Sequence, residues 1–159
     1  MIRKLLSTGL VIASLATTLS VTAQQAPTPE QLAQRATETR QAVFKLLGYN
    51  MGTISGMARG TVEFDAEIAE RNAQRIAALA PMIPELFAAN DTRSFDVETE
   101  ALPVIWEDLE GFTSKANNLL EAANTFAATA SGGDRAAVLG GLRAFGSTCG
   151  SCHDAFRQE

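Results

Sequence analysis

From Thr28 onward, apolar residues recur at spacings of three and four, the period of a helix with one buried face. Thr28-Pro29-Glu30 reads as a start signal: a hydroxyl cap, proline at the first helical position, then an acid near the positive helix end. Leu32, Ala36, Val43, Leu47, Met51, Ile54 and Ala58 follow largely on one face, with Phe44 and Gly48 beside them. They predict a first helix over about residues 30–57, ending near Gly60. After Phe64, Asp65 caps a second helix carrying Ile68, Ile76 and Leu79, closed by Pro81 and Pro84. Residues 90–101 are polar and irregular, the longest loop. A third helix is predicted over about 103–130, with Ile105, Trp106, Leu109, Phe112, Ala116, Leu119, Ala123 and Phe126 facing inward. Ser131-Gly132-Gly133-Asp134 is a turn whose aspartate caps the fourth. There Val138, Leu142, Phe145, Cys149, Cys152 and Phe156 alternate steps of four and three. No segment pairs β-branched residues with alternation, so the pattern is all-α, an antiparallel four-helix bundle.

Composition changes the picture of the core. Alanine supplies 27 of the 159 residues and aromatics only 6%. Helices can therefore approach closely but bring little bulk, which leaves room for something that is not protein. Ahead of the bundle, Met1-Ile2-Arg3-Lys4 is a basic start to a short apolar stretch, Leu5 to Val21, that ends in Val21-Thr22-Ala23. This is the pattern of a secretory signal peptide cleaved after residue 23. A membrane anchor is the competing reading, but the stretch is short and carries six Ser and Thr residues. Cleavage gives two segments, a signal peptide over 1–23 and a bundle over 24–159, and an exported, periplasmic protein without a membrane span. Losing Arg3 and Lys4 deepens the net charge from −5 to −7, since 11 basic residues then face 18 acidic ones. Such a balance argues against nucleic acid, which requires a concentrated basic surface.

The scarce chemistry lies in one window. Both cysteines and the only histidine fall in Cys149-Gly150-Ser151-Cys152-His153. On a helix these three side chains are i, i+3 and i+4, so they emerge on one face. C-x-x-C-H is the signature of covalent haem attachment, two thiols for the vinyl groups and an imidazole for the iron. A thioredoxin-like pair would want a strand beside it, and a structural zinc needs a fourth ligand that the chain lacks among its thiols and imidazoles. A plain disulfide satisfies the residues but leaves the thin core unexplained. The reading is one haem c, bound through Cys149 and Cys152 near the carboxyl end, with His153 as the metal ligand.

With the motif in the last helix of a bundle, the chain resembles the class II cytochromes c, and within them the cytochrome c′ family. The resemblance spans nearly all of residues 30–159. It runs through Arg40-Gln41, Met51-Gly52, Arg59-Gly60, Phe64-Asp65, Pro103-Val104-Ile105-Trp106 and the run from Cys149 to Arg157. It implies a haem protein that is not an enzyme. One branch has five-coordinate high-spin iron that binds nitric oxide or carbon monoxide; the other carries electrons with a methionine as sixth ligand. Where that second branch has its methionine, this chain has Phe44, a ring that cannot ligate and would cover the distal face. Met51, two turns away, is read as core packing, with ligation as its alternative; Met57 lies further still. The resemblance also implies that Arg40 and Gln41 hold the haem carboxylates and that Glu100 lies near the haem edge. Arg157, i+4 from His153, shares its face and can tune the imidazole. A diatomic passing Phe44 would weaken or break the bond to His153. The family's homodimers form through the first two helices, where Gly52, Gly56 and Gly60 would permit close approach. An acidic surface would suit a basic redox partner protein.

Overall fold

The computed structural model describes residues 26–158. The signal segment and its cleavage site lie outside the described residues. Helix α1 is Pro29–Arg59, α2 Ala66–Leu79, α3 Met82–Ala88, α4 Leu109–Ser131 and α5 Arg135–Phe156, with a 3-10 turn at Pro103–Trp106. The four long helices form the bundle. The Thr28 hydroxyl accepts from the Gln31 amide while the Gln31 side chain accepts from the Thr28 amide, a reciprocal cap. At the other end Gly60 takes φ 73°, a left-handed conformation that costs a side chain energy. Asp65, Asp108 and Asp134 cap α2, α4 and α5 by accepting from Ile68, Gly111 and Ala137 amides.

Two elements differ from the sequence reading. Pro103 opens a single 3-10 turn rather than a long helix, because Asp108 caps a fresh helix five residues later. The prolines that close α2 do not end helical structure. Pro84 is the third residue of the short α3, where its missing N–H would have no helical partner anyway. The inward stripe of α1 is also narrower than its spacing suggests, since Leu32 and Ala58 are exposed.

Small residues decide where helices close and where they do not. Ala69, Ala73 and Ala80 of α2 and its cap, and Ala123 of α4, are almost fully buried. They let α2 and α4 pack tightly along their length. Ile54, Ile76, Val138 and Phe145 fill the centre. By contrast α1 and α5 touch sparingly, and the bundle opens between them. One end is closed by aromatic edges: Phe87 meets Trp106, Phe112 and Phe44, and Phe112 meets Phe156 at ring centroids 5.2 Å apart. Among the glycines of α1, Gly56 already has a close neighbour. A Cβ on Gly56 would lie 2.7 Å from Val62 Cγ2, so the turn after α1 already uses that approach, while Gly52 faces the opening.

Candidate haem site

The opening between α1 and α5 is a cavity of about 880 Å³, the size of a cofactor pocket. All eight residues singled out from the sequence line it: Arg40, Gln41 and Phe44 from α1, Glu100 from the loop, and Cys149, Cys152, His153 and Arg157 at the end of α5. The α5 register sets the three residues of the motif side by side. Both cysteines are half-buried free thiols, and His153 is exposed at the cavity wall. Burial pushes both thiols above the ordinary range; the nearby cation of Lys115 pulls Cys152 back in part.

Across the cavity, Phe44 is 40% exposed and meets Phe87 edge-on, with centroids 6.4 Å apart. Leu47, Met51, Ile76 and Ile83 continue this apolar wall. Met51 is half-buried there, whereas Met57 is packed in the core away from the cavity. Arg40 is only 4% exposed. Its Nε and Nη2 donate to the Leu86 carbonyl at 3.2 Å each, Nη2 also donates to the Asn90 carbonyl, and Nη1 donates to Thr92 Oγ1 at 3.0 Å. The guanidinium stacks 4.5 Å over Phe87, with Trp106 5.4 Å away. Burial lowers its pKa, and the Asp91 charge opposes that; an arginine remains charged. Four of its five N–H groups are thus committed, leaving one on Nη1. Gln41 Nε2 donates to the Glu98 carbonyl at 3.0 Å. Glu100 Oε2 accepts from Arg157 Nε at 2.7 Å and lies 2.6 Å from Nη2 in an ion pair. Trp106 donates its Nε1 hydrogen to the Phe87 carbonyl at 3.0 Å, a packing role.

Several observations fit a flat, dicarboxylate group such as haem. Five cations line the cavity (Arg40, Lys45, Arg59, Lys115, Arg157) against two acids, Glu98 and Glu100, in a chain that is acidic as a whole. Thr37 Oγ1, buried at the cavity wall, has no hydrogen-bond partner. Gly48 and Gly52 present bare helix backbone, with no atom within 4 Å of a would-be Cβ. A family model described as cytochrome C′ matches residues 35–157. The chain belongs to the cytochrome c′ family. Members of that family carry covalent haem c, and this chain has its two cysteines near the carboxyl end. Among relatives, cytochrome c-554 of Cereibacter sphaeroides is 37% identical over 93% of this chain and 97% of its own. The cytochrome c prime structure from Shewanella frigidimarina superposes with a TM-score of 0.71 at 32% identity, covering 80% of this chain and 97% of that one. A further solved cytochrome c′, described as having ligand-controlled dimer dissociation, gives 0.68 at 31% identity, with 80% and 97% covered.

Some functional neighbours escaped sequence reasoning. Thr92 sits in a polar loop with no pattern to mark it, yet is buried against Arg40. Thr37 was readable only as one turn before Arg40 on the same face. Phe87 lies on α3, the helix hidden behind two prolines.

Proposed function

We propose that this chain is a periplasmic c-type haem protein of the cytochrome c′ type, with high-spin, five-coordinate iron that takes nitric oxide or carbon monoxide and also transfers electrons. The observation that carries this reading is Phe44 on the cavity wall, at the position where the family resemblance would place the methionine of the electron-carrying branch. Relatives of this chain are named both cytochrome c-554 and cytochrome c′, so the sixth position rests on the chain's own residues.

The haem, when bound, supplies a redox-active iron and a site for a diatomic. The chain does the rest. Cys149 and Cys152 would tether the haem to one face of α5, and His153 would supply an imidazole from the same face. Gln41, the remaining Nη1 hydrogen of Arg40 and the Thr37 hydroxyl, all on the cavity wall, would donate to the haem carboxylates. Phe44 and Phe87 wall the cavity with carbon, which would offer no hydrogen bond to a polar ligand and so would favour neutral diatomics at the iron. Arg157 stands one turn beyond His153, where a cation tunes the imidazole. With its single histidine assigned to iron, the chain has no imidazole left for an enzymatic triad, and we assign it no enzyme activity.

Three further parts of the reading stand beside this. Residues 1–23 are a signal peptide removed on export, leaving residues 24–159 as the haem domain. No described helix is long and apolar enough to cross a membrane. The protein forms homodimers, supported by the exposed Leu46 and Tyr49 on α1 and by the dimer of the solved relative. Its electron-transfer partner is a basic protein that complements the acidic surface.

The competing reading is a low-spin electron carrier, and the half-buried Met51 on the cavity wall is its one support. Absorption spectra of the purified ferric and ferrous protein decide between them. We expect a high-spin ferric spectrum, a nitric oxide adduct on reduction, and no change in Met51→Ala. A low-spin, sulfur-ligated ferric spectrum that disappears in Met51→Ala would sink the open-site proposal.

A further inference from the structure

The segment Glu98–Leu102 crosses the cavity mouth and is pinned at both ends. On one side the Glu98 carbonyl accepts from Gln41 of α1. On the other, the Leu102 amide donates to the Phe156 carbonyl at 3.0 Å and the Gln158 amide donates to the Glu100 carbonyl at 2.7 Å. Ala101 and Arg157 form an isolated antiparallel bridge. Over this backbone seam the Arg157 guanidinium donates one hydrogen bond to Glu100 and forms an ion pair with it. Arg157 is also the residue whose amide donates to the His153 carbonyl at 3.0 Å, closing the last turn of α5. Strap and last turn are therefore one connected unit, and the ligand histidine is the first residue of that turn.

We propose that Glu100 is a positioning residue for His153, acting through Arg157. This rests on the open-site reading above and deepens it. While the pair is intact, the strap holds the end of α5 against fraying, and the carboxylate offsets the Arg157 charge one turn from the imidazole. Without Glu100 both effects turn the same way. The last turn opens more readily, and an uncompensated cation beside the ring reduces its donation to iron. His153, where it holds the iron, would then be less firmly positioned and would release more easily on diatomic binding. Exposure keeps the effect modest: the two side chains are 49% and 66% exposed, so solvent and salt screen the pair.

The test uses the purified, haem-loaded protein, native and as Glu100→Gln and Glu100→Asp. Ferrous protein is mixed with nitric oxide, and the rate of histidine detachment is read from the Soret band. Glu100→Gln should detach up to about five-fold faster, the upper end for an exposed pair. Glu100→Asp should lie between it and the native protein. High salt should accelerate the native protein towards Glu100→Gln and change the variant less, because salt screens the ion pair. Proton NMR of the ferric protein supplies a reading that does not depend on gas binding: the shifted His153 ring signals should move in Glu100→Gln and return in part in Glu100→Asp. Amide exchange at Leu102 and Gln158 should quicken in the same order. Equal detachment rates with unmoved ring signals overturn the proposal, whatever happens to amide exchange. Should the native protein take up no nitric oxide, the open-site reading fails separately. The NMR comparison then decides the role of Glu100 alone, in favour if the signals move and against if they do not.

Discussion

Arg40 shows how much of a residue's role comes from what surrounds it. Its spacing with Gln41 marks a polar patch on α1, and the family resemblance points it at haem carboxylates. The structure also commits most of its N–H groups to the Leu86 and Asn90 carbonyls and Thr92, while its flat face stacks on Phe87. Lysine cannot reproduce a planar fork that donates in several directions at once. Arg40→Lys should therefore cost about 1–3 kcal/mol, read by urea unfolding, because buried carbonyls lose partners. Phe44 is the other decisive residue. Placing a thioether there, Phe44→Met, should convert the ferric spectrum from high-spin to low-spin if the side chain reaches the iron face. A spectrum that stays high-spin would remove Phe44 from the distal position. Neither expectation follows from the spacing of α1 alone, which puts both residues on or near one stripe without saying what they meet.

At the scale of elements, side-chain caps explain both the successes and the errors of the helix pattern. Thr28, Asp65 and Asp134 are legible because each precedes a periodic run and each does cap. The third long helix was misplaced at its start because Pro103 and Asp108 both carry start signals and lie close together. The 3-10 turn uses the first, with the Glu107 and Asp108 amides both donating to the Val104 carbonyl; α4 uses the second. Asp108→Ala should cost about 1 kcal/mol in chemical unfolding. It should leave the Pro103–Trp106 turn in place, since Trp106 is fixed independently through Phe87. Had residues 103–130 formed one helix, the same change would remove no cap and cost little. The short α3 was missed for a different reason: proline closes a helix in its interior but is tolerated in a first turn, and sequence spacing does not distinguish the two.

At the scale of the molecule, the cavity follows from an imbalance in packing. Alanines let α2 and α4 close on each other, and no comparable seam joins α1 to α5. The outer face of α1 carries a different imbalance, with Leu46 50% and Tyr49 69% exposed one turn apart. Tyr49→Asp should shift the protein from dimer to monomer in sedimentation equilibrium, with an unchanged haem spectrum, because the side chain points away from the cavity lining. A native protein that sediments as a monomer at all concentrations would reject the homodimer.

Local information was enough for what depends on local chemistry. The helical period, three of the caps, the concentration of Cys149, Cys152 and His153 in one window, and the thinness of an alanine-rich core are all properties of neighbouring residues. The tertiary structure alone decided what depends on residues far apart in the chain. Glu100 and Arg157 are 57 positions apart and Arg40 and Thr92 are 52, and no period relates them. Their meeting is set by how the loop returns across a cavity that only helix packing defines. The motif told which group the chain would hold; the sparse contact between α1 and α5 decided where the bundle opens and which side chains line that cavity.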